Sequence, residues 1–79
     1  MSFAEKLKLI RTRERLTQRQ ISEMVCIKLG TWKGYEYGAR ADLSAVEISK
    51  LLRHPRFIQY TLWLMTDQTI PEAGQVSPE

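Results

Sequence analysis

Cationic, amide and hydroxyl side chains recur through residues 17–33 at spacings that could build one binding surface. Lys28 and Lys33 can donate hydrogen bonds to phosphate oxygens or to guanine acceptors, and Thr31 can bond either a phosphate or a base edge. The Gln18 amide can add a bond to a phosphate held at the amino-terminal end of a helix. These groups predict recognition of DNA.

Smaller and apolar residues could shape the same surface. Leu29 can make an apolar contact with a thymine methyl group, and Arg40 could reach a flanking phosphate or the minor groove. Gly30 and Gly34 would share one helix face, and each costs roughly 1 kcal/mol of helix stability relative to Ala. We expect close approach to DNA at both glycines, with simple tolerance as the alternative. The predicted DNA-contact residues are Gln18, Arg19, Lys28, Leu29, Gly30, Thr31, Lys33, Gly34 and Arg40.

Residues for catalysis or metal binding are scarce. The chain has one histidine, His54, and one cysteine, Cys26. No Cys/His cluster, phosphate loop, nucleophile motif or Ser-Lys self-cleaving domain can be identified. We therefore expect no enzyme activity, no cofactor, no metal and no switch by autoproteolysis.

Targeting signals are not evident either. No uninterrupted apolar run exceeds four residues, and charges interrupt the first 15 residues every two or three positions. Neither a membrane span nor a signal peptide is predicted. A single cysteine, which can close no internal disulfide, fits a reducing cytoplasm.

Two short helices joined by a tight turn are predicted around this surface. Ile21 and Val25 are one helical turn apart, and Trp32 and Tyr35 resume the helical spacing after a break. A helix is about 10–12 Å across and fits the major groove of DNA, which is ~12 Å wide. We predict a helix-turn-helix whose second helix, near residues 28–37, reads the DNA.

The sequence as a whole predicts an all-α fold. This fold is a compact bundle of about five helices followed by an extended C-terminal tail. Ser-x-x-Glu or Thr-x-x-Gln patterns at Ser2, Thr17 and Ser44 mark helix starts, and Gly38 suits a helix end. The first helix is predicted over residues 2–15. The helix-turn-helix domain is predicted over residues 1–66. Residues 67–79, with two prolines and a glycine, are predicted as an extended arm or frayed tail.

Residues 55–66 form a predicted helix that is apolar on nearly every side. One small domain cannot cover such a helix completely, so a second stripe must meet a partner or lie exposed. The side predicted to cover the domain's own core is Phe57, Tyr60, Thr61 and Leu64. The side predicted to form a homodimer, with Trp63 as its main residue, is Ile58, Leu62, Trp63 and Met65.

Charge is distributed unevenly along the chain. Residues 1–40 hold nine Lys or Arg and four acids, whereas residues 41–79 hold three and five. A basic half that contains the reading helix is typical of a phosphate-binding surface. A merely solvated helix face remains the alternative for Lys6, Lys8, Arg13 and Arg15.

Arg11 and Glu36 are predicted to meet. They follow the inward-facing Ile10 and Tyr35 on helices 1 and 3, so both lie on inner flanks. A bidentate ion pair between them would hold the reading helix in place. Its role would be structural.

The segment TQRQISEMVCIKLGTWKGYEYG resembles the lambda-repressor-like, Cro/C1-type helix-turn-helix family, in which Thr-Gln opens helix 2 and Tyr-Glu closes helix 3. The stretch HPRFIQYTLWLMTDQTIPEAGQVSP is similar to the C-terminal part of the small C-type immunity repressors of peduovirus-like temperate phages. The resemblance places the family's internal ion pair at Arg11 and Glu36. It places DNA contacts at Gln18, Lys28, Leu29, Gly30, Thr31, Lys33 and Gly34. Cys26 departs from the glycine usual at the turn, and a positive φ there would be strained.

This resemblance implies a homodimer in the bacterial cytoplasm that binds a repeated or palindromic double-stranded DNA operator. It would repress lytic transcription and so maintain lysogeny, with a phage antirepressor protein as a further partner. One alternative is an antitoxin or adaptor that uses residues 55–79 to neutralise another protein. Purified alone, such a protein should form ill-defined species rather than a clean dimer. An activator of the same fold is a second alternative that sequence cannot separate from a repressor.

Overall fold

The computed structural model describes residues 1–39 and 43–79. Its described residues form five α-helices: α1 (Phe3–Arg13), α2 (Gln18–Met24), α3 (Leu29–Glu36), α4 (Ala45–Leu52) and α5 (Thr61–Thr66). Two short 3-10 turns cover Ile58–Tyr60 and Pro71–Ala73, and no strand lies in the described ranges. None of these helices is long and apolar enough to cross a lipid bilayer. The predicted all-α bundle is confirmed.

The helix starts follow from local side-chain chemistry. Ser2 and Thr17 each form a complete capping box, in which the hydroxyl accepts from the backbone three residues on and that residue's side chain accepts from the cap. At Thr17 the two bonds measure 3.0 Å and 2.8 Å. The Ser44 hydroxyl accepts from the Glu47 amide at 3.2 Å. These bonds satisfy N–H groups that have no partner inside a helix, which is why the chain enters each helix there.

The first three helices end in the same way. A residue with positive φ follows each one: Arg15 at 58°, Cys26 at 58° and Gly38 at 74°. The next amide then bonds a carbonyl five residues back, which is the Schellman motif. These bonds join Leu16 N–H to Arg11 O (3.1 Å), Ile27 N–H to Ser22 O (3.0 Å) and Ala39 N–H to Gly34 O (2.9 Å). The motif ends α1 at Arg13, two residues before the predicted end.

One apolar core joins all five helices. α3 packs against both α1 and α2, so α2 and α3 share the core with the amino-terminal helix α1. The core side chains are Leu7, Ile10, Ile21, Val25, Ile27, Trp32, Tyr35, Leu51, Phe57, Tyr60, Trp63 and Leu64. Because α3 contributes only its inner residues, its opposite face is left at the surface.

The prediction of one helix over residues 55–66 is wrong for the first half of that range. α5 begins only at Thr61, after turns and the 3-10 turn Ile58–Tyr60. The His54 carbonyl accepts from the amides of both Phe57 (2.9 Å) and Ile58 (3.0 Å), and the Arg56 amide donates to His54 Nδ1. Pro55 has no N–H to donate, so the chain turns tightly here before helical bonding resumes.

The C-terminal segment folds back on its own domain, whereas the sequence predicts an extended arm or frayed tail. The Val76 amide donates to Gln59 O at 2.9 Å, and Gln75 pairs with Ile70 in an isolated antiparallel bridge. The Gln75 side chain accepts from the Leu62 amide at 2.9 Å and donates to Ile58 O at 3.1 Å. It thereby satisfies an amide in the first turn of α5, a position that a local capping residue usually serves.

Lys6 is a second unexpected member of this region. It is buried, and its Nζ donates to the carbonyls of Trp63 (3.2 Å) and Leu64 (3.3 Å) and pairs with Asp67 at 2.5 Å. A cation at the carboxyl-terminal end of a helix is favoured by the helix dipole. Lys6 therefore stabilises the end of α5, and both predicted roles for it, phosphate binding and a solvated face, are wrong.

Candidate nucleic-acid interface

The outer face of α3 carries most of the predicted contact residues. Trp32 and Tyr35 are buried and point into the core. The opposite side and the start of the helix present Lys28, Gly30 and Lys33 as exposed residues. Half-buried positions beside them are Leu29, Thr31 and Gly34. The structure thus groups six predicted residues along one short helix, with two ammonium groups at the surface.

The amino-terminal end of α3 differs from those of α1, α2 and α4. Lys28 is its N-cap residue, and among the described residues no side chain caps the helix. Its first-turn amides are therefore not satisfied by a capping side chain, and the helix dipole makes this end favourable for negative charge. Arg19, on α2, is exposed as well.

The two glycines of α3 differ in their surroundings. Gly30 is exposed, and apart from its chain neighbours and the nearby backbone of α3, a Cβ added to it would meet no described atom within 4 Å. The protein itself therefore does not require a glycine there. Gly34 is half-buried, and its carbonyl accepts the Schellman bond from Ala39. Close approach to DNA stays a prediction for both, and Arg40 lies outside the described residues.

A buried carboxylate fixes α3 against the rest of the domain. Glu36 accepts from Arg11 Nε at 2.7 Å and from Arg11 Nη2 at 3.0 Å, and its side chain is 1% exposed. The Trp32 indole N–H donates to the same carboxylate, and Arg11 Nη1 donates to Leu16 O at 3.0 Å. The predicted bidentate pair is present. It links α1 to α3, so it sets the direction in which the outer face of α3 points.

Gln18 is tied to the end of α3. Its Nε2 donates to Glu36 Oε1 at 3.4 Å, and the Tyr37 hydroxyl donates to its Oε1 at 3.4 Å. Tyr37, the C-cap residue of α3, is 70% exposed and lies outside the set of predicted contact residues. Helical spacing can indicate that Tyr37 faces outward, but it gives no signal for the bond to Gln18, which lies 19 residues earlier.

The residues predicted for dimerisation separate into two groups. Ile58 and Met65 are 52% and 53% exposed, and Leu62 is half-buried. Trp63 is only 6% exposed and packs in the domain's own core, so its predicted place beside the outer stripe, as the main residue of the dimer interface, is wrong. The reason is that Trp63 lies over Lys6, with Nζ 5.2 Å from the ring centroid, and closes the core at α1.

An open apolar groove lies beside the exposed residues of this region. It has a volume of about 590 Å³. α4 forms one wall, and the segment that contains Ile58 and Met65 forms the other. The apolar lining residues include Leu43, Ile48, Leu52, Ile58 and Met65. The exposed part of the predicted dimer stripe is therefore continuous with a wider apolar surface.

Tyr60 joins α1 to the carboxyl-terminal region. Its hydroxyl donates to Glu14 Oε2 at 2.5 Å, and Arg56 bonds the same residue through Glu14 Oε1 (3.1 Å) and Glu14 O (2.9 Å). Burial, followed by the bond to Glu14 and its negative charge, raises the pKa of Tyr60 to about 12. Tyr60 therefore stays protonated to a higher pH than an ordinary tyrosine, and the cluster has a structural role. In the described part of the chain, no three His, Cys, Asp or Glu side chains cluster as metal ligands.

Comparison with known proteins bears on the family of this chain. No family model matches it. Repressor protein C of Escherichia phage P2 is 36% identical over 77 residues, which cover 98% of this chain and 77% of the relative. The chain belongs to the repressor protein C family. In this member of the repressor protein C family, the match covers nearly all of the chain, including α2, α3 and most or all of the segment that folds back on α5.

Proposed function

We propose that the chain is a sequence-specific transcriptional repressor of a temperate phage or prophage, which binds operator DNA as a homodimer. The observation that carries the proposal is the exposed face of α3 on a helix locked by Arg11 and Glu36. A rigid helix with one free, cationic face can enter the major groove without reorganising the domain. Membership in the family of a phage repressor supports the regulatory role.

The exposed cations suggest a division of labour on this surface. Arg19 and Lys28 lie on α2 and at the start of α3, where phosphate contacts would set the position of the domain on DNA. Lys33 lies further along α3 and suits a guanine edge, while Thr31 and Leu29 could contact a base edge or a thymine methyl group. Phosphate contacts would supply affinity and base contacts would supply specificity.

The homodimer is proposed to form through the exposed apolar residues near α5. Ile58 and Met65 are seven residues apart and lie on one wall of the groove beside α4. Pairing two copies across this groove would remove both residues from water, as the hydrophobic effect favours. A two-fold dimer can present two reading helices to successive major grooves about 34 Å apart. We propose that it acts in the bacterial cytoplasm to maintain lysogeny, with an antirepressor as a regulatory partner.

Selection from a random-sequence duplex library tests the function directly. The wild-type protein should enrich a repeated or palindromic sequence, and footprinting on DNA flanking its own gene should protect the same sequence. Log affinity for that duplex should fall steeply with log salt because phosphate contacts release counterions. Equal affinity for the enriched and scrambled duplexes at moderate salt would reject the repressor. Sedimentation of ill-defined species would then favour the antitoxin or adaptor.

A further inference from the structure

The orientation of the Gln18 amide is determined by two residues at the end of α3. Its Nε2 lies 3.4 Å from Glu36 Oε1, and its Oε1 lies 3.4 Å from the Tyr37 hydroxyl. Gln18 is the first residue of α2, whereas Glu36 and Tyr37 are the last residue and the C-cap of α3. One side-chain amide therefore bridges the two helices of the helix-turn-helix.

Glu36 permits only one orientation of this amide. Its carboxylate is paired with Arg11 and can accept hydrogen bonds but cannot donate them. A flipped Gln18 would place its own oxygen against Glu36 Oε1, which already accepts from Arg11 Nη2 at 3.0 Å. Two acceptors would then face each other without a proton between them, so Nε2 must point to Glu36.

Tyr37 completes the arrangement from the solvent side. It is largely exposed, so its ring contributes little to the core, but its hydroxyl donates to Gln18 Oε1. An amide has two N–H donors and two oxygen lone pairs. With one of each engaged, Gln18 retains one N–H and one lone pair in a fixed orientation.

We propose that Tyr37 is a positioning residue for DNA recognition, which holds the Gln18 amide ready to donate its remaining N–H to an acceptor on DNA. The DNA part of this inference rests on the proposed function, whereas the amide geometry does not. Fixing a polar group before binding removes part of the entropic cost of ordering it in the complex. Tyr37 thus acts through Gln18 rather than by a separate contact.

The geometry is tested in the free protein by NMR. Tyr37→Phe retains the ring and removes only the hydroxyl, so it should shift both side-chain N–H resonances of Gln18 while the backbone spectrum stays folded. Tyr60→Phe is the matched control, since Tyr60 bonds Glu14 instead, and it should leave those resonances unchanged. Unchanged Gln18 resonances in Tyr37→Phe would overturn the proposal whether or not the protein binds DNA.

The role in binding is tested by a double-mutant cycle on the duplex that the wild-type protein enriches. Tyr37→Phe should weaken binding roughly 3- to 10-fold, the range for one net hydrogen bond. It should have no further effect in a Gln18→Ala background, because the two residues would act as one unit. Independent, additive losses would overturn the positioning role.

The same cycle identifies the acceptor on DNA. A loss equal on enriched and scrambled duplexes indicates a phosphate, and a loss confined to the enriched duplex indicates a base edge. Failure of the wild-type protein to enrich any sequence would reject the proposed function and the DNA part of this inference together. The NMR measurement would still decide the amide geometry, because it requires no DNA.

Discussion

In the proposed DNA interface, Lys33 is the residue whose substitution best distinguishes a contact with a base from a contact with a phosphate. It is exposed on the outer face of α3, and among the described residues no carboxylate pairs with it. Lys50 provides a contrast, because it lies on α4 and pairs with Glu47 at 3.3 Å. Substituting either lysine removes one positive charge from the same small domain.

Lys33→Ala should weaken binding to the enriched duplex by about 1–3 kcal/mol if the residue reads a base. If Lys33 contacts only a phosphate, the loss should be uniform across sequences and the salt slope should become shallower. Lys50→Ala is the control for net charge and should change both affinities little. Titrations of enriched and scrambled duplexes at several salt concentrations measure the difference. Equal losses for the two variants would place Lys33 outside the interface.

Tyr60 predicts a pH dependence of folding. Its pKa rises from an ordinary value of 10 to about 12, chiefly because the phenol is buried. Between these values the unfolded chain has lost the phenolic proton while the folded chain keeps it. The free energy of unfolding should therefore be constant with respect to Tyr60 below pH 10, and should fall as the pH rises towards 12.

Urea unfolding between about pH 8 and pH 12 measures this effect, with Tyr60→Phe as the reference that cannot ionise at this position. Above the ordinary pKa of tyrosine, the free energy of unfolding of the wild-type protein should fall relative to that of the variant. Parallel pH profiles would show that Tyr60 ionises equally in both states and would contradict the prediction. The comparison also removes the contribution of lysines, which both proteins share.

Among the helices and turns, the helix ends are the most instructive feature. α1, α2 and α3 all end in a Schellman motif, but only α3 has a glycine at the left-handed position. Cys26 occupies that position in the turn between α2 and α3, with φ at 58°, and its side chain is exposed. The strain expected for a non-glycine residue in this turn is therefore present.

Cys26→Gly should raise the free energy of unfolding by up to about 1.6 kcal/mol, the difference between two opposing contributions. Relief of the left-handed conformation should stabilise the fold, because this conformation costs an L-residue roughly 1–2 kcal/mol. Glycine's greater freedom in the unfolded chain should lower this gain by about 0.4–1 kcal/mol. Gly38→Ala is the matched opposite change and should lower stability, since φ there is 74°. Urea midpoints of both variants decide the matter, and changes of the same sign would be inconsistent with this account.

These elements also show what sequence can and cannot predict. Helix starts at Ser2 and Thr17 can be predicted because each cap bonds a residue only three positions away. The burial of Lys6 cannot, because its partners are carbonyls 57 and 58 residues further along the chain. Sequence also cannot predict that Trp63 faces the core. When nearly every side of a segment is apolar, periodicity does not show which side is buried.

The proposed dimer must be tested by substitutions that leave the core of each subunit undisturbed. Trp63→Ala is unsuitable because Trp63 is buried and its loss would destabilise the domain itself. Met65 is exposed on the groove wall, so a charge there leaves the core intact. Val46 is also exposed but does not line the groove, and it provides the control.

Met65→Lys should turn the proposed dimer into a folded monomer, because a charge would be buried at the interface without a partner. Sedimentation should show the change in mass, and far-ultraviolet circular dichroism should show unchanged helix content. Operator affinity should collapse while weak non-specific binding persists, since one subunit reaches only one half-site. Val46→Lys should remain dimeric. A dimeric Met65→Lys protein would place the interface on another surface.

The return of the C-terminal segment to α5 has a consequence for the order of events during synthesis. Gln75 bonds the Leu62 amide and Val76 bonds Gln59, so the helix of the proposed dimer interface is completed by residues made after it. A ribosome releases the amino-terminal region first. The contacts of α3 with α1 and α2, including the Arg11–Glu36 pair, therefore join residues that are made before the proposed pairing surface. A chain that stopped at residue 66 would keep Ile58 and Met65 but would lack the bonds from Gln75 and Val76 to residues 58–62. We expect such a chain to pair more weakly than one that carries the segment.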